Sequence, residues 1–240
     1  MRNAADFCDD WIFCDHQSTD GTQAILRQLA AEVPSGRVHG IVHPRESHEL
    51  IRDFAGQDRW IFGLDGDEIY DPSGLARLRA RLLAGEFADH WMILGNVLHV
   101  TRIDEVHGCA WGHLAPPCRS MTKLYNFSAI DAWGGYCVER LHGGSPAFRR
   151  GFDASKRLAM YETTPWESSD FRCLHLCFQA RSSADARGGA RPNIMETLGP
   201  SRWLEWLAPW RRMRARWKYE RYRRGSEVTV DVRPFLGVVR

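Results

Sequence analysis

No apolar run among the 240 residues approaches the ~20 needed to cross a bilayer as a helix, so no segment reads as a membrane span. The stretch before the first apolar strand lacks the charged and apolar regions of an export signal, and the expected location is the cytoplasm. Charge of one sign is also lacking. Thirty-two Lys and Arg face 30 Asp and Glu, and a net +2 argues against a chain that binds a polyanion over its whole surface. There is no glycine-rich phosphate loop, which weighs against a Mg²⁺-dependent nucleotidyl transferase or phosphohydrolase. The seven cysteines are odd in number, scattered and without paired metal-ligand spacing, as expected of free thiols in a reducing compartment. Cys173-Leu174-His175-Leu176-Cys177 has the look of a zinc site, but strand alternation accounts for it equally. Cys and His would share one face of the strand and the two leucines the other.

What is present belongs to an ordinary globular chain, 26% charged and 44% hydrophobic, long enough for one large or two small domains. The most informative stretch is Trp60-Ile61-Phe62-Gly63-Leu64-Asp65-Gly66-Asp67-Glu68-Ile69-Tyr70. Five mostly apolar residues read as a strand buried on both faces, and they run straight into a carboxylate cluster. The loop past a strand's carboxyl end is where open α/β sheets hold ligands. Asp65 and Asp67 could share a hard cation, with Gly66 letting the backbone come close to it. A solvated acidic turn would look much the same.

A second strand-to-loop transition lies upstream. Trp11-Ile12-Phe13-Cys14 leads into Asp15-His16-Gln17-Ser18-Thr19-Asp20-Gly21-Thr22, and Ala24, Ile25, Leu26 and Leu29 follow at helical spacing. Ser18, Thr19 or Asp20 can cap that helix. A strand over Arg37 to His43 and a helix over Glu46 to Ala55 fill the interval before the second loop.

Together these motifs resemble the family-2 glycosyltransferases. Asp15 to Thr22 is similar to that family's nucleotide-side Asp-x-x-Ser-x-Asp-Gly-Thr, and Leu64-Asp65-Gly66-Asp67-Glu68 to its metal-binding Asp-x-Asp followed by Glu. The resemblance covers residues 9 to 85 and weakens beyond them. It lacks the family's opening strand and helix, because only Met1 to Asp10 precedes the Asp15 strand; the expectation is an N-terminally short domain. The resemblance implies an α/β protein of GT-A (Rossmann-like) fold, a mixed sheet flanked by helices, over residues 1–200. It further implies transfer of a sugar, with inversion, from a nucleotide diphospho-sugar to a saccharide or lipid-linked acceptor hydroxyl in cell-envelope synthesis. Asp15, Ser18, Asp20 and Asp65 would bind the nucleotide-sugar, and Asp67 with Asp65 would hold Mg²⁺ or Mn²⁺. The acceptor's proton needs a base. Glu139 is the first candidate, with Glu162, Glu167 and Asp170 in reserve. His142 or His175 could complete the metal shell.

The remaining chain is read locally. Asp71-Pro72-Ser73-Gly74 starts a helix carrying Leu75, Leu78, Leu82 and Leu83, with Arg77, Arg79 and Arg81 as its solvated face. Trp91 to Thr101 reads as a strand pair broken at Gly95-Asn96, and Lys123 to Phe127 as a strand. Residues 102–150 otherwise read as irregular, and Trp133 there as a core residue or a platform for a sugar ring. Residues 201–240 form a separate basic, Trp- and Arg-rich helical extension ending in an edge strand over Val228 to Val232. Ser201 to Arg224 holds nine basic and two acidic side chains, a net +7, which leaves −5 for the rest of a chain of net +2. Tryptophans at helical spacing beside that charge suit an anionic membrane surface at the inner face of the plasma membrane. Packing on the catalytic domain is the plainer alternative, and no nucleic-acid motif accompanies the charge. The rival function is a truncated, inactive relative serving as a membrane-associated binding module.

Overall fold

The computed structural model describes residues 1–18, 20–33, 35–42, 46–118, 122–134, 144–178 and 222–236. They form a mixed α/β protein, and no helix among them is long and apolar enough to cross a membrane. β1 (Trp11–Asp15), α1 (Thr22–Glu32) and β2 (Gly36–Gly40) make a βαβ unit whose strands pair in parallel, Trp11 against Gly36. Leu26 and Leu29 of α1 are buried, while Ile25 is exposed, so the helix places a narrow apolar stripe inward.

The chain continues through α2 (Glu46–Glu49) to β3 (Trp60–Phe62) and, after the acidic loop, β4 (Glu68–Tyr70) and α3 (Pro72–Leu83). β5 (Met92–Leu94) and β6 (Asn96–Asp104) follow almost without a break, then β7 (Cys109–Leu114), β8 (Thr122–Asn126), β9 (Ile130–Gly134) and β10 (Ser145–Phe148). β11 (Arg157–Ala159), α4 (Met160–Thr163), β12 (Arg172–His175), β13 (Val228–Asp231) and α5 (Arg233–Leu236) complete the described chain. Two sheets carry most of it, ordered β11-β5-β8-β3 and β13-β7-β6-β12-β4; β1-β2 and β9-β10 form separate pairs.

The chain passes from one large sheet to the other at Gly95. A side chain there would bring its Cβ within 2.5 Å of the Phe171 carbonyl oxygen, so only glycine lets the two segments touch. One core cluster joins Phe7, Phe13, Leu75, Leu78, Ile93, Leu124 and Phe171 beneath α1 and α3. Another lies on the five-stranded sheet, where Leu98, Val100, Leu174, Val230 and Phe235 meet. The terminal strand β13 is the edge of that sheet, antiparallel to β7, and shares this core.

Several local expectations change. β3 is three residues long and half-buried, not a five-residue strand covered on both faces. The helix expected over Glu46 to Ala55 is a single turn, α2, followed by a 3-10 turn over Arg52–Phe54; Ile51 departs from helical geometry between them. Residues 102–150 are less irregular than their composition suggests. β6 and β7 form a hairpin, and Arg102 lies 3.7 Å from the centre of the Trp111 ring across it. Met1 to Asp10, which had no assigned element, holds a 3-10 helix over Arg2–Phe7 that buries Ala4 and Phe7. Ser201 to Arg221 lies outside the described residues, so the basic helical face does too.

Candidate functional site

The acidic loop is shaped by one carboxylate turned inward. Glu68, 2% exposed, accepts hydrogen bonds from the Asp65 backbone N–H at 3.0 Å and the Tyr70 hydroxyl at 3.2 Å. A buried carboxylate needs such donors, and here they fold the loop back on itself. The Tyr70 hydroxyl is accordingly held protonated: burial pushes its pKa well above the ordinary phenol value, and the Glu68 charge adds to the shift. Asp65 and Asp67 remain half-buried on either side of the exposed Gly66.

β12 holds the loop from the other side. It pairs antiparallel with β4, His175 against Glu68, and the Leu176 backbone N–H donates to the Asp67 carbonyl oxygen at 2.8 Å. The His175 Nε2 then lies 3.7 Å from the Asp67 carboxylate. β12 also pairs in parallel with β6, and that register sets His175 beside His99. Their Nδ1 atoms are 2.9 Å apart, and the Cys177 Sγ lies 3.9 Å from the His99 Nδ1. Both imidazoles are buried, with the Tyr222 ring edge-on to them at centroid distances of 4.6 and 5.8 Å. Donor atoms of His99, His175 and Cys177 all lie within 4.8 Å of one another, which makes this trio, among the described residues, a group able to hold a metal ion.

Alternation along β12 is as expected. Leu174 and Leu176 pack into the core of the five-stranded sheet, while Cys173 and His175 face away from it. Cys173 is buried in the core beneath α3 rather than joining the trio, so the third donor beside His175 and Cys177 is His99. Sequence reading passed over His99. Its trace was a histidine inside the apolar run Val97-Leu98-His99-Val100, but the register with His175 is a long-range fact.

The upstream loop is tied down by Asp15, 4% exposed at the tip of β1. Its Oδ2 accepts from the Ser18 backbone N–H at 3.2 Å and the Gln23 side-chain amide at 2.9 Å. Two acceptor sites of the carboxylate are thereby engaged inside the loop. The backbone at Gln17 takes φ 52°, a left-handed conformation that costs a non-glycine residue about 1 kcal/mol. Asp20 accepts from the Thr22 backbone N–H at 3.0 Å at the start of α1, where Gly21 is the capping position and the Ser18 side chain makes no cap. The His16 Nε2 and the Val42 carbonyl oxygen, 2.7 Å apart, join the loops after β1 and β2.

The two loops share a foundation. Arg59 and Asp10, which immediately precede β3 and β1, form an ion pair at 3.0 Å, and Phe13 and Phe62 pack in one cluster. Both acidic loops therefore follow strands whose starts are held together.

Other expected residues are used differently or lie elsewhere. Glu139 and His142 lie outside the described residues. Asp170 is engaged by Arg77 at 2.7 Å and Arg81 at 3.0 Å, which removes it as a free base, while Glu162 and Glu167 are exposed. Arg79 pairs with Asp9 at 2.7 Å, so the arginines of α3 bind carboxylates rather than only water. Trp133 is buried in the core with Phe127 and Ile130 rather than offered to a sugar. A cavity of about 330 Å³ lined by Arg81, Phe87, His90, Met160 and Asp170 lies toward the start of β12, whereas His175 closes that strand's other end. Its cation and carboxylate are already paired with each other, so the acidic loop is the better chemical candidate.

No family model matches the chain, and no curated protein matches it.

Proposed function

We propose that the chain is a metal-dependent glycosyltransferase of GT-A type that binds a nucleotide diphospho-sugar across its two acidic loops. The observation that carries this reading is the common anchoring of those loops. Asp15 and Asp65–Asp67 follow β1 and β3, whose starts are joined by Arg59 and Asp10. The resemblance of both loops to the motifs of the family-2 enzymes supports the substrate class. Asp65 and Asp67 are oxygen donors, half-buried and still reached by water, a set that suits Mg²⁺ or Mn²⁺. When bound there, the cation neutralises negative charge that develops on the departing diphosphate.

The remaining steps belong to the protein. Glu68 and the Leu176 N–H hold the loop's backbone at Asp65 and Asp67. Asp15, fixed by Ser18 and Gln23, shapes the side of the site nearest the nucleoside. The residue that takes the acceptor's proton is assigned to Glu139 from sequence alone, and the saccharide or lipid-linked nature of the acceptor likewise.

Thermal melting with UDP, GDP, CDP or dTDP, each with and without Mn²⁺, tests the reading. At 100-fold excess over Kd a ligand stabilises the folded state by about 2.7 kcal/mol, roughly 5–11 °C for a chain of this size. The expected result is such a rise with one nucleotide and only with metal. No rise with any pair, in a chain that melts cooperatively, would overturn the proposal.

A further inference from the structure

We infer that His99, His175 and Cys177 form a binding site for a borderline-soft divalent cation, Zn²⁺ being the representative, separate from the hard-cation role of Asp65. The inference stands on these donor atoms alone and does not require that the aspartate loop bind a nucleotide.

The chemistry of the set decides the metal class. Two imidazole nitrogens and a thiolate suit Zn²⁺, Co²⁺ or a related d-block ion, while Mg²⁺ and Ca²⁺ prefer all-oxygen surroundings. Distances agree. Tetrahedral Zn²⁺ with Zn–N near 2.0–2.1 Å and Zn–S near 2.3 Å sets N···N at about 3.3 Å and N···S at about 3.6 Å. The observed separations are 2.9 Å between the two Nδ1 atoms and 3.9 Å from the His99 Nδ1 to the Cys177 Sγ. For these two pairs a few tenths of an ångström of side-chain adjustment separates the two geometries, and the His175–Cys177 pair lies within 4.8 Å. The donors are also set on a rigid frame, because His99 and His175 occupy paired positions on adjacent strands of the five-stranded sheet.

The Asp67 carboxylate lies close enough to lend electrostatic support, though not a direct hydrogen bond. If the His175 Nδ1 ligates the ion, its Nε2 carries the proton, and that nitrogen faces the Asp67 carboxylate at 3.7 Å. Metal-bound histidines usually direct their second nitrogen to such a carboxylate, which fixes the tautomer and the ring orientation. Asp67 would then stand between this site and the hard-cation site proposed for the aspartate loop. Among the described residues three protein donors meet here, and a tetrahedral ion has room for a fourth ligand, from solvent, substrate or protein. Binding releases the Cys177 thiol proton to solvent, so uptake strengthens as pH rises.

Cobalt substitution tests the assignment on the untagged full chain, stripped with chelator and titrated with Co²⁺. The expected result is one equivalent bound with tetrahedral visible bands and a thiolate-to-cobalt band in the near ultraviolet, displaced by one equivalent of Zn²⁺. Cys177 is only partly buried, so Cys177→Ser preserves the packing; it should abolish the thiolate band and weaken Zn²⁺ binding at least about tenfold. Failure of the wild-type chain to take up one equivalent, or a cobalt spectrum unchanged in Cys177→Ser, would overturn the inference. Mn²⁺-dependent nucleotide melting of the same variant reports on the aspartate loop separately, so loss of one site is not mistaken for loss of the other.

Discussion

Replacement of Asp71 by alanine should destabilise the fold by about 3 kcal/mol, through a buried ion pair that also caps a helix. The Asp71 Oδ1 accepts the backbone N–H groups of Ser73 and Gly74 at 3.0 and 3.1 Å, closing the first turn of α3. Its Oδ2 accepts two hydrogen bonds from Arg172 of β12, at 3.0 and 2.7 Å. The Asp71 side chain is 2% exposed and that of Arg172 12%, so neither charge is screened by water. Loss of a helix cap costs about 1 kcal/mol, and stranding one partner of a buried pair costs about 3–5. The two overlap, and Arg172 keeps the Trp166 and Glu167 carbonyls as acceptors, so the lower end is expected. That corresponds to a fall of roughly 6–12 °C in melting temperature. Urea denaturation of Asp71→Ala, Arg172→Met and the double variant measures it. The double variant should lose clearly less than the sum of the singles, because each single leaves the other's charge buried. A loss under about 1 kcal/mol in Asp71→Ala, or strict additivity, would refute the reasoning.

Three further outcomes follow from the same coordinates. Gly95→Ala should cost about 1–3 kcal/mol in urea denaturation, because its Cβ would press on the Phe171 carbonyl at the crossover between sheets. The Cys8 thiol, pushed up to about 12 by burial, should resist alkylation at neutral pH, which intact mass after iodoacetamide treatment reports. Asp231 is held at about 2, against an ordinary 3.8, chiefly by its hydrogen bond to the Arg233 side chain. Its folded pKa is depressed, so its stabilisation is present above pH 3.8 and is lost as pH falls through about 2. The pair is exposed, so Asp231→Asn should differ only slightly from wild type at pH 7, and that difference should fade as pH drops through about 2.

What could be read from the sequence was what local periodicity encodes. The strand–loop–helix over residues 11–32, the Asp71-capped α3, the break at Gly95 and the alternation of β12 each depend on neighbours within a few positions. β4 could not be read that way. Glu68-Ile69-Tyr70 looks like the tail of an acidic turn, and it is a strand only because β12, more than a hundred residues away, pairs with it. That same pairing brings His175 to Asp67, and the pairing of β12 with β6 brings in His99. Both acidic loops were visible as motifs. The inward turn of Glu68 and the placing of His175 between Asp67 and His99 were set by register, which composition does not contain. β7 was hidden for a different reason: the Trp, Gly and His within Cys109–Leu114 obscure the alternation that its pairing with β6 imposes.

The central claim is that Asp67 belongs to a metal-dependent nucleotide site. Calorimetric titration of the stabilising nucleoside diphosphate into wild type and Asp67→Ala, each with and without Mn²⁺, tests it most directly. The account predicts binding by wild type with Mn²⁺ only and none by Asp67→Ala, whose cooperative melting confirms that it is folded. Undiminished metal-dependent binding by Asp67→Ala would contradict it.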